Sequence, residues 1–107
     1  MKVMKMSEMK GGWFTGDFEP TAFRTKDFEV CYKVHAKGEQ WPKHYHKEAT
    51  EINYLIRGRM RIGETELEQG DIFVIEPNEV ADPEFHEECE LIVVKTPSVI
   101  GDKYEVD

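Results

Sequence analysis

From Asp27 onward the chain alternates apolar and polar residues in short runs broken by glycine, proline or charged turns, and no stretch sustains a helical period. The runs DFEVCYKV, EINYLIRG, DIFVIEP and ECELIVVKTP predict four strands, and RMRIG followed by ETELEQG predicts hairpins turning at Gly58, Gly63 and Gly70. In the first run Phe28, Val30, Tyr32 and Val34 share one face. Tyr32 is expected to point inward. His35 lies on the opposite face with Glu29, Cys31 and Lys33, which predicts a surface residue near the strand end. Many short strands in about a hundred residues must dispose of their edges by closing a barrel or stacking two sheets, and the jelly roll is one such solution.

The first 26 residues show no clear period. They are expected to form an N-terminal arm that packs on the barrel or a partner, with Trp13, Phe14 and Phe18 docking it. Residues 27–107 then form the barrel, and the tail beyond Pro97 drapes over the surface or a neighbour. A chain of 107 residues fits one domain. Its formal charge of −8 argues against nucleic acid, which needs clustered Lys and Arg. The opening MKVMKMSEMK lacks the apolar run of a signal peptide or membrane span, so a cytoplasmic protein is expected. Cys31 and Cys89 sit in apolar alternating runs without CxxC spacing, which predicts free packed thiols rather than a zinc site. There is no GxSxG and no glycine-rich phosphate loop, so covalent serine chemistry and nucleotide binding lack support.

The stretch HYHKEATE carries the candidate chemistry. On a strand His44 and His46 point to one side and Tyr45 to the other, and a third group from the next strand would complete a chelate. Glu51 is preferred because it begins a strand, with Asn53 and Leu55 on its face; Glu48, on the turn, competes. Two imidazoles and a carboxylate would hold a divalent metal and leave positions open for substrate. HxH on its own is more often a solvated strand face.

The surroundings add to it. Gly38, five residues, His44-x-His46, four residues, Glu51, six residues and Gly58 together resemble the first conserved motif of the cupin superfamily at every fixed position. The second motif is degraded: in GDIFVIEPNEVAD, Pro77 comes one residue late, Glu79 replaces a glycine and Asp82 stands where a histidine is expected. The flanks GWFTGDFEPTAF and VVKTPSVIGDKYE are similar to those of a group of small single-domain cupins with no settled reaction.

The resemblance implies an all-β, single-domain double-stranded β-helix, or jelly-roll, barrel. It also implies a divalent metal, Mn, Fe, Ni or Zn, held by His44, His46 and Glu51 with Asp82 at the fourth place. Two carboxylates would leave a divalent centre formally neutral, a poorer electrophile that prefers harder ions. Asp82 is equally open to a purely structural role, and His86 is its rival at about 13 Å further along an extended strand.

Two functions follow as expectations. One is a metal-dependent oxygenase or isomerase acting on a small oxygenated metabolite or sugar. The other is a non-catalytic module that binds or senses a carbohydrate or metabolite, its metal structural or absent. An interaction protein using its acidic surface has a smaller share. With Glu51 inward, Ile52, Tyr54 and Ile56 form an outer apolar row that needs cover, which predicts an isologous homodimer or cover by the N-terminal arm.

Overall fold

The computed structural model describes residues 1–106. Ten strands follow a single 3-10 turn at Met6–Glu8. A five-stranded sheet is built from β1 (Trp13–Thr15), β2 (Glu29–His35), β9 (Cys89–Thr96), β4 (Thr50–Arg57) and β7 (Ile72–Ile75), in that spatial order. A three-stranded sheet contains β6 (Thr65–Glu68), β5 (Arg59–Ile62) and β8 (Pro83–Phe85), and β10 (Tyr104–Glu105) pairs with β3 (His44–Tyr45). All pairings between these strands are antiparallel. The all-β expectation holds, and among the described residues no helix is long and apolar enough to cross a membrane.

The core lies between the two larger sheets, where Leu55, Leu91 and Val93 meet Met60, Leu67 and Phe85. Cys31 and Cys89 are fully buried here and free, as small packed hydrophobes. Burial pushes the Cys31 thiol up to about 12, so it stays protonated and inert.

Register across the five-stranded sheet decides what faces the interior. Glu29, Lys95 and Glu51 stand side by side in one inward row; Cys31, Val93 and Asn53 form the next; Lys33, Leu91 and Leu55 form a third. The outward rows are apolar: Val30, Val94, Ile52 and Val74, then Tyr32, Ile92, Tyr54 and Ile72. Ile72 is 71% exposed.

This corrects two expectations for β2. Tyr32 lies on the outer face, its hydroxyl donating to Glu90, and His35 faces inward, buried against Phe85. The polar face of β2 lines the interior because the barrel holds a cavity, whereas its apolar face belongs to the outer rows. Trp13 and Phe18 line that cavity, and β1, which carries Trp13, pairs with β2.

Of the two glycines that frame the HxH stretch, only one is demanded by packing. Gly58 has φ 104°, and a Cβ there would lie 2.4 Å from the Glu88 carbonyl and 2.8 Å from Cys89 Sγ. Gly38 has φ 75° but faces open space. Gly58→Ala is therefore expected to lower the unfolding free energy by about 3 kcal/mol or more, backbone strain adding to overpacking. Gly38→Ala should lose only about 1 kcal/mol. Urea denaturation checks this; equal losses would mean that the Glu88–Cys89 contact is not what requires glycine.

Candidate functional site

The barrel interior opens into a cavity of about 490 Å³, a size suited to a small metabolite. His44, His46 and Glu51 all line it. Alternation along β3 turns Tyr45 outward, where it stacks on Tyr104 of β10 with ring centroids 5.5 Å apart. The two imidazoles meet edge to face at 5.6 Å.

Each ring is oriented by a backbone carbonyl. His44 Nδ1 donates to the Pro42 carbonyl at 3.0 Å, and His46 Nδ1 donates to the Asp102 carbonyl. Both Nε2 atoms are thereby left as the reactive ones. His46 Nε2 lies 3.6 Å from a Glu51 carboxylate oxygen. Burial pushes Glu51 towards its neutral form, but His46, Lys95 and His44 outweigh it, so its pKa lies below the usual carboxylate value. Glu51 in turn raises His46 against the opposing effect of burial. His44 is shifted down, by burial first, with Lys103 adding to the shift. The two histidines thus differ in proton affinity although they are two residues apart.

The C-terminal tail does not merely drape. The Asp102 carboxylate accepts the backbone N–H groups of Lys47, Glu48 and Ala49 at 2.9, 3.1 and 2.9 Å, a cradle of successive amides around an anion. Those bonds hold its pKa below the usual value despite burial. Residues 99–103 then close one side of the cavity. Asp102 carried no signal in the sequence, because nothing local connects it to a turn more than fifty residues earlier.

Asp82 is not brought to the site. Ala81 sits opposite His44 in an antiparallel bridge, with backbone bonds of 3.1 and 2.7 Å, so it shares the inward side with His44. Asp82, one residue on, is turned outward and exposed, 4.0 Å from Lys43 Nζ, while Pro83 lines the cavity. His86 bonds Glu66 at 2.8 Å away from the cavity lining, and Glu48 is exposed on its turn.

The donor chemistry of His44, His46 and Glu51 fits a divalent ion: two neutral-capable imidazoles with their far nitrogens anchored, and one ionised carboxylate. As arranged, Glu51 is engaged by His46, and among the described residues no group of three or more His, Cys, Asp or Glu is already disposed to hold a metal.

Sequence reasoning also missed an aromatic wall. Glu39 accepts from His35 Nδ1 at 2.5 Å, from Trp41 Nε1 at 2.6 Å and from the Ala36 amide at 3.2 Å. His35 is stacked on Phe85 at 4.3 Å and meets Trp41 edge-on at 5.8 Å. The inward parity of His35 with Cys31 and Lys33 was the available signal.

No protein-family model and no curated protein matches the chain in sequence. Solved structures match in fold. A conserved protein with a double-stranded β-helix domain from Klebsiella pneumoniae subsp. pneumoniae MGH 78578 is similar at TM-score 0.72 and 19% identity, over 98% of this chain and 91% of that one. The nucleoside dehydratase Pac13 from Streptomyces is similar at TM-score 0.65 and 14% identity, over 77% of this chain and 70% of its own. A sugar phosphate isomerase of the cupin superfamily from Silicibacter pomeroyi DSS-3 gives TM-score 0.61 and 19% identity, over 76% and 57% respectively. The chain has a double-stranded β-helix fold.

Burial opposes ionisation of Glu39, but the bonds from His35, Trp41 and Ala36 prevail and hold its pKa below 4.5. A depressed folded pKa means that its contribution is full above about pH 4.5 and is lost as pH falls through the folded value. Glu39→Gln is expected to destabilise by about 1 kcal/mol near neutral pH. The two proteins should converge in acid when denatured across a pH series; an unchanged gap there would show that shape, not charge, holds the wall.

Proposed function

We propose that the chain is an enzyme acting on a small oxygenated metabolite inside the barrel, with His46 and Glu51 as its acid–base pair. The observation that carries this reading is the imidazole–carboxylate contact of 3.6 Å lining a cavity of metabolite size. With Nδ1 tied to the Asp102 carbonyl, His46 exchanges protons only through Nε2, and Glu51 stabilises the imidazolium that results. Abstraction of the proton beside a substrate carbonyl by His46 Nε2 gives an enediol; return of that proton at the former carbonyl carbon, with the hydroxyl proton passing to the former carbonyl oxygen, is isomerisation, whereas its delivery from the imidazolium to a β-hydroxyl that leaves as water is dehydration. Were a divalent ion held by His44, His46 and Glu51, those groups would act as its ligands in place of the acid–base pair, and the ion would supply Lewis-acid polarisation of the substrate oxygen.

A second reading, a non-catalytic binding module, is favoured by one observation: Asp82 is exposed beside Lys43 while its neighbour Pro83 lines the cavity, so no carboxylate stands there with His44, His46 and Glu51.

The chain, purified with Mn, Fe, Ni or Zn and without added metal, is incubated in D2O with a panel of aldoses, ketoses and sugar acids. Nuclear magnetic resonance then follows deuterium entry beside the carbonyl. Glu51→Gln and His46→Ala are expected to reduce exchange by about 10²- to 10⁴-fold, with folding checked by circular dichroism. Binding of a panel member without exchange under any metal condition would move the protein to the second reading.

The outer rows of the five-stranded sheet support the homodimer expected from the sequence. They bring exposed Ile52, Tyr54, Ile72 and Val74 together on one outer face, which a second copy would cover isologously. Light scattering is expected to report a dimer that Ile52→Lys/Val74→Lys converts to a folded monomer. A monomeric wild type would end this part of the reading.

A further inference from the structure

Four lysines line the cavity: Lys95 pairs with Glu29 at 3.3 Å, whereas Lys10, Lys33 and Lys103 make no ion pair among the described residues. Lys33 is half-buried on the inward face of β2, and Lys103 enters from the tail that closes the cavity. Both approach one aromatic ring, their ammonium groups 5.9 and 4.7 Å from the centre of Trp41. The carboxylate bonded to that ring, Glu39, already accepts from His35 Nδ1, Trp41 Nε1 and the Ala36 amide, and neither ammonium group has it as an ion-pair partner among the described residues. For the half-buried Lys33, loss of water is unfavourable unless an anion meets it, while the exposed Lys103 can reach the same ligand from the solvent side.

A second, independent group points into the same space. Asn53, 3% exposed and lining the cavity two residues beyond Glu51, has no hydrogen-bond partner for Nδ2. A buried amide donor left unpaired destabilises the fold, and the natural complement is an acceptor oxygen. The register places Asn53 in the row between Glu51 and the row of Lys33. The cavity therefore presents an acid–base pair, a neutral donor two residues along β4 from Glu51, and two ammonium groups beside Trp41.

We propose that the cavity selects a small anionic metabolite, whose carboxylate or phosphate is held by Lys33 and Lys103 against Trp41 while an oxygen of its body accepts from Asn53. This deepens the reading of an acid–base site by naming its substrate class, and rests on it for the orientation of the ligand. The anionic end anchors the molecule at the aromatic wall, and the polar body reaches His46 and Glu51. Glu39 serves as a positioning residue here, because its bond to Trp41 Nε1 fixes the ring that both lysines approach.

The test titrates the full chain with glucuronate, glucose 6-phosphate, inorganic phosphate and neutral glucose, reading tryptophan fluorescence, with Trp13→Phe isolating the Trp41 signal. At least one of the two sugar anions is expected to bind about tenfold or more tightly than glucose. Comparison of glucuronate with glucose 6-phosphate identifies which anionic group the site takes. The preference should vanish in Lys33→Gln/Lys103→Gln, and Asn53→Leu should weaken both sugar anions without affecting inorganic phosphate. Glucose binding as tightly as the sugar anions, or an anion preference that survives the double lysine variant, would overturn the inference, as would the absence of any anion response at saturating concentrations. Because binding is read without turnover, repeating the titration in Glu51→Gln separates the two proposals. Retained anion preference with no exchange chemistry in the wild type leaves the anion site standing and removes the enzyme.

Discussion

The bonds accepted by Asp102 are the constraint on which the rest of the site depends. Its carboxylate gathers three consecutive amides of the turn after β3, and its own carbonyl takes the Nδ1 proton of His46. One residue near the end of the chain thus fixes the backbone that follows His46 and the tautomer of its ring. The same residue brings the tail across the cavity and Lys103 to Trp41. Without it, buried amides of the turn would lose their acceptor, and the imidazole its fixed orientation.

The inward face of the five-stranded sheet is charged in one row and apolar in the rows beyond it, and the outer face carries apolar rows of its own. The charged row Glu29, Lys95 and Glu51 is tolerated because its members neutralise one another: Lys95 pairs with Glu29, whose other oxygen accepts the Ser98 hydroxyl at 2.7 Å, and Glu51 meets His46. Deeper in the barrel the same face becomes Leu55, Leu91 and Val93, closing against Met60 and Phe85. A stable apolar floor beneath a paired polar rim is what allows a reactive imidazole to be held still.

Charge distribution carries the functional argument further than total charge does. The net value of −8 suggested only that nucleic acid is an unsuitable partner. Inside the barrel the balance differs, since Glu51, Glu29 and Asp102 are engaged by His46, Lys95 and backbone amides, whereas Lys33 and Lys103 lie near Trp41 and make no ion pair among the described residues. The local field a ligand meets is set by the unpaired groups, not by the sum over the surface.

Read by itself, the chain determined its β-rich character, its main hairpins and the inward turn of Glu51, Asn53 and Leu55, because period-two alternation and glycine turns are local properties. It also brought His44 and His46 to one side, since two residues along a strand always share a face. The fate of Asp82 was decided by tertiary structure: the bridge between His44 and Ala81 set a register one residue away from the motif-based placement, and a one-residue difference turns a side chain to the opposite face. Likewise, alternation in β2 separated Glu29, Cys31, Lys33 and His35 from Val30, Tyr32 and Val34, but which set faced the interior depended on the neighbouring strands and the cavity they enclose. The Asp102 clamp and the pairing of Glu39 with Trp41 lay beyond the pattern of residues along the chain, because hydrogen bonds to a turn and between loop side chains leave no periodic trace.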